Sequence, residues 1–108
     1  MTIKMGWMLL FVAGVLEIAW AIGLRYTEGF TKLIPSAITI AIAGASFFLL
    51  AQAVKAIPVG TAYAVWSGMG AVGVAVLGIL LFNESVHWSR LAFLSLIVIG
   101  IVGLKIRG

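Results

Sequence analysis

MGWMLLFVAGVLEIAWAIGL, residues Met5 to Leu24, is a run of 20 residues that carries one charge, Glu17. At 1.5 Å per residue such a helix spans about 30 Å, the thickness of a bilayer's hydrocarbon core. The rest of the chain repeats the pattern. Leu33 to Val54 and Val59 to Phe82 carry no charge at all. A fourth uncharged run, Leu91 to Leu104, is short for a span at 14 residues. Arg90 and Lys105 can snorkel from its ends and Trp88 can sit at the interface, which extends it to Trp88 to Lys105, about 27 Å. The sequence therefore predicts an all-α membrane protein with four transmembrane helices, at residues 5–24, 33–54, 59–82 and 88–105.

Composition agrees. Of 108 residues, 64 % are hydrophobic and 9 % charged, with a mean hydropathy of +1.26, which excludes an ordinary soluble domain. No stretch is polar enough to act as a linker, so residues 1–108 are read as one four-helix domain. Read alone, the first 24 residues resemble a signal peptide. Glu17 inside the apolar run, the lack of a convincing cleavage site and the later spans argue for a retained helix. There is no cysteine, and His87 has no metal-ligating neighbour in sequence, so neither a metal nor a cofactor is expected. No nucleophile–base pair or phosphate loop suggests an enzyme.

The net charge of +4 does not imply nucleic acid, because the basic residues lie at the ends and turns of the apolar runs. Pro35 and Pro58 fall where helices begin. Short turns make successive helices antiparallel. Lys4, Lys55, Lys105 and Arg107 then share one side of the membrane, and Arg25, Lys32 and Arg90 the other. Orientation follows Lys/Arg asymmetry, and a difference of one gives the insertion machinery almost nothing to read. Dual topology and an antiparallel homodimer are expected, with a single orientation as the alternative. Four helices are also too few to enclose a polar path and still shield it from lipid. Gly100 and Gly103 allow close backbone approach, so helix four is the candidate dimerisation helix; packing within one subunit is the alternative.

Of the three acids, Glu28 and Glu84 lie in turns, where solvated carboxylates need no explanation. Glu17 does. A charge near the bilayer centre costs from about 3 to more than 10 kcal/mol, and such residues usually mark an ion or proton path. A protonated Glu donating one interhelical hydrogen bond is the structural alternative. Trp20 at i+3 and Gly14 at i−3 share a face with Glu17, outlining a cation pocket between a ring and a gap. Tyr63, Trp66, Gly70 and Gly73 recur at helical spacing in helix three; the ring faces would attract a cation and the N–H and O–H groups could hold the carboxylate. Taken singly, each aromatic serves equally well as an interfacial anchor or packing residue.

Counting rise along the helices puts Glu17 about 18 Å and Trp66 about 10 Å from the side on which helix one begins, so the two are offset within a subunit and level across an antiparallel dimer. Ser46 is expected to bond its own helix by default, with a site role as the alternative. The glycines of helix three allow either a bend or close packing.

The lone Glu17 in helix one, the turn LRYTEGFTKLIPS (Leu24 to Ser36) and IPVGTAYAVWSGMG (Ile57 to Gly70) together resemble the small multidrug resistance family, over essentially the whole chain. The resemblance implies a multi-pass protein of the bacterial plasma membrane, an antiparallel dual-topology dimer that exchanges protons for cations. It assigns the shared proton and substrate site to Glu17, the bend of helix three to Gly68 and Gly70, and dimerisation to Gly100 and its neighbours. Trp20, Ser46, Tyr63 and Trp66 look like the polar site residues of the guanidinium-exporting subtype, while Ser67 and Met69 depart from its pattern. Guanidinium suits the site because a planar cation with several N–H donors can bind a carboxylate in bidentate fashion. The alternatives are an exporter of quaternary ammonium or aromatic cations and a non-transporting membrane partner subunit. A rotary-ring proteolipid also places a carboxylate in the membrane, but four spans count against it.

Overall fold

The computed structural model describes residues 1–107. They form four helices, α1 (Ile3–Tyr26), α2 (Leu33–Ala53), α3 (Val59–Phe82) and α4 (Trp88–Arg107), each long and apolar enough to cross a bilayer. Helix α1 starts two residues before the charge pattern implies and ends two residues after it. Its start is set by Thr2, whose hydroxyl accepts from the Met5 amide at 3.1 Å, and Arg25 in its last turn complements the helix dipole. Helix α4 likewise continues past Lys105 to Arg107, with both cations in its final turn.

The α1–α2 turn is organised by Thr27, which is buried. Its hydroxyl donates to the Leu24 carbonyl at 2.8 Å and accepts from the Phe30 amide at 3.2 Å. The turn passes through the left-handed region at Glu28, Gly29 and Phe30, which places Glu28 and Lys32 outside as an exposed ion pair. Helix α3 ends at Asn83, also left-handed (φ 53°), a conformation asparagine tolerates better than most residues. This reversal brings Glu84 back against Gly78.

Helix α1 packs on both α2 and α3, whereas the α4 backbone lies against α3 alone. Lipid supplies little hydrophobic drive for helix association, so contact must come from close fit, and small residues provide it. Gly6 faces Ala56 and Ile57, Gly14 faces Met69, Gly23 faces Thr39 and Gly73 faces Ile18. A cluster of Leu10, Ala13, Ala53, Ile57, Ala62, Val65 and Trp66 fills the half of the bundle where α1 begins, α2 ends and α3 begins. The backbone spans 40 × 35 × 16 Å. A single helix with side chains is about 10–12 Å across, so the chain is a slab without depth to bury a path inside itself.

Candidate functional site

Two polar groupings sit one helical turn apart along α1. The first is closed. Ser46 of α2, fully buried, donates to the Ala13 carbonyl of α1 at 2.7 Å and accepts from the Trp66 indole N–H of α3 at 3.0 Å. The expectation that Ser46 bonds its own helix is corrected. With the Ala13 carbonyl and the Trp66 indole both within reach, one hydroxyl donates to α1 and accepts from α3, joining three helices. The Trp66 indole thus reaches α1 through Ser46 at the Ala13 carbonyl, one turn before Glu17.

The second grouping is open. Glu17 points to α3, where its carboxylate rests on Gly70 so closely that a Cβ there would collide with it. Its Oε2 is shielded yet finds no hydrogen-bond partner among the described residues. Beside it lies an open cleft of about 410 Å³, lined by Glu17 and Ala21 of α1 and by Ser67, Gly70 and Val74 of α3, with Glu84 and Arg90 at its far end. Among the described residues the Glu17 carboxylate accepts no hydrogen bond, so a cation entering the cleft meets it without first breaking one.

The other predicted residues are distributed around these groupings. Trp20 is half-buried and turned to α2, its ring 6.2 Å from Phe47, with its indole N–H buried and unpartnered among the described residues. Phe47 in turn lies 5.2 Å from Trp66, and Tyr63 5.5 Å from Trp66, so four rings form a continuous series. Tyr63 is 58 % exposed, one helical turn before Ser67. Gly14 is not the gap expected beside Glu17, because Met69 fills the space next to it. Helix α3 is continuous, and its glycines serve close packing in this conformation: Gly68 against Ile97 and Ile101, Gly70 against Glu17, Gly73 against Ile18. Gly100 and Gly103 meet no neighbour within 4 Å, and α4 buries none of its residues.

Phe47, Ser67, Glu84 and Arg90 join the expected residues around these groupings. Phe47 is indistinguishable by type from any apolar residue of α2. Glu84 reads as a solvated turn carboxylate and Arg90 as a snorkelling helix end, yet Arg90 Nη2 donates to Glu84 Oε1 at 2.8 Å on the wall of the Glu17 cleft.

The model of the Small Multidrug Resistance protein family matches residues 5–97. The chain belongs to the small multidrug resistance family. Among members of this family, the guanidinium exporter of Escherichia coli (strain K12) is 57 % identical over 102 residues, covering 94 % of this chain and 97 % of the relative. The guanidinium exporter of Proteus vulgaris is 56 % identical over the same share of this chain and 98 % of its own. That of Citrobacter freundii is 58 % identical, covering 94 % and 97 %. As a small multidrug resistance protein, the chain is a multi-pass membrane transporter and not an enzyme.

Proposed function

We infer that this chain exports guanidinium-type cations, and that it does so by exchange for protons at Glu17. The observation that carries the reading is the Glu17 carboxylate itself: a lone acid in four apolar spans, unpaired at Oε2 and facing an open cleft. An ionised carboxylate in hydrocarbon is costly unless it meets a cation or a proton, so the two compete for one site and either one lowers the cost of reorienting it. Substrate specificity comes from the chemistry of the guanidinium fork, which can place two N–H donors on one carboxylate. The guanidinium exporters to which the chain is 56–58 % similar in sequence identity support the same substrate.

The working unit is an antiparallel homodimer in the bacterial plasma membrane. Its support is threefold: the near balance of Lys and Arg on the two sides, a slab 16 Å deep with its acid open on one face, and an α4 with no buried residue and bare glycines at Gly100 and Gly103. In that unit Trp66 and Ser46 hold the α1–α2–α3 junction beneath Glu17. Trp20 and Tyr63 contribute the N–H and O–H that complete the substrate's surroundings across the dimer, and Gly68 and Gly70 let α3 change its bend between the two orientations.

The test is transport by the purified protein in liposomes, read as currents on a solid-supported membrane. Guanidinium should evoke currents that Glu17→Gln abolishes. Currents from a bulky quaternary ammonium alone would reject guanidinium as substrate, and silence for both cations would favour a non-transporting partner subunit.

A further inference from the structure

The Glu17 cleft has a second carboxylate. Glu84 lines the same cavity, and its Oε1 approaches Gly78 as Glu17 approaches Gly70: at each glycine a Cβ would collide with the carboxylate. Two acids thus lie along α3 in recesses eight residues, or about 12 Å, apart. Between them the α3 wall of the cleft is Ala71, Val74 and Ala75, with no polar side chain to hold a cation midway. Glu84 is not empty. It holds the guanidinium of Arg90, at 2.8 Å through Nη2, while Nη1 of the same group donates to the Ser85 carbonyl at 3.0 Å. Both side chains remain partly exposed, 32 % for Arg90 and 41 % for Glu84. Only Oε1 is engaged, so an incoming fork can take Glu84 in bidentate fashion only if Arg90 lets go.

We propose that Glu84 is an outer binding station for guanidinium-type cations on the path to Glu17, with the Arg90 side chain as the resident guanidinium that the substrate displaces. The proposal rests on Glu17 being the central site and adds a specificity step ahead of it. A planar fork reproduces what Arg90 offers Glu84; a quaternary ammonium, without N–H donors, does not. An exposed pair of this kind is weak enough to exchange with solute.

The experiment measures guanidinium concentration dependence of the currents for wild type, Glu84→Gln, Arg90→Gln and Arg90→Lys, with Glu17→Gln alongside. Removing the station's charge should raise the apparent KM about two- to fivefold, more than it lowers the maximal current, whereas removing its competitor should lower KM by up to about the same factor. Arg90→Lys keeps a charge at the start of α4 but loses the fork, so it should shift KM in the same direction as Arg90→Gln and by less; it decides the point if Arg90→Gln does not fold. If the Glu84 and Arg90 variants move KM in the same direction, the pair is only a clasp for the turn and the proposal fails. Unchanged KM in Glu84→Gln would also overturn it. Glu17→Gln that still transports would instead remove the central reading, an outcome separable from either.

Discussion

The Ser46 junction and the Glu17 cleft are neighbours along α1 and α3, yet they handle polarity in opposite ways. At the junction, Ser46 and Trp66 are buried and satisfy each other and the Ala13 carbonyl. One turn further along α1, Glu17 leaves an oxygen unpaired against Gly70 and a cavity. In hydrocarbon a satisfied polar group fixes helices to one another, while an unsatisfied one invites a ligand. The contrast separates the residues that hold the fold from the group that works on it, even though both grouped together in the sequence as polar or aromatic positions on helical faces.

Gly70→Ala should break the contrast most sharply. The three atoms nearest the added Cβ all belong to the movable end of Glu17, so the protein should stay folded while the carboxylate shifts; a misplacement near 1 Å can cost about 100-fold in rate. Guanidinium currents measured beside thermal unfolding in detergent would show whether transport falls far more than stability. Ser46→Ala should do the reverse. It leaves the Trp66 N–H bare, and a double-mutant cycle with Trp66→Phe should return a coupling of about 0.6–1.7 kcal/mol in unfolding experiments, with transport reduced less than in Gly70→Ala. The smallest effect belongs to Glu28→Gln. Its pair with Lys32 is exposed and lies in the turn, so neither currents nor unfolding temperature should change measurably.

Much of this was legible in the sequence because the bilayer penalises charge so strongly. The spans could be read from uncharged length, and Glu17 stood out as the one acid where water is absent. Ser46 could not be assigned, since its partners Ala13 and Trp66 are 33 and 20 residues away in the chain and a hydroxyl has an acceptor within its own helix by default. Glu84 was hidden for a different reason. A carboxylate in a turn is ordinarily solvated, and only the reversal at Asn83 carries it back along α3 to the cleft. The glycines of α3 read equally well as a hinge or as a packing surface; their neighbours Ile97, Ile101, Glu17 and Ile18 show the packing role in this conformation.

The central claim is that protons and guanidinium share Glu17. It is tested most directly in liposomes that contain the purified protein and a pH-sensitive dye, with a guanidinium gradient as the only driving force. Wild type should move protons against the direction of guanidinium flow, and Glu17→Gln should move neither. Proton movement driven by guanidinium in the Glu17→Gln protein would contradict the account.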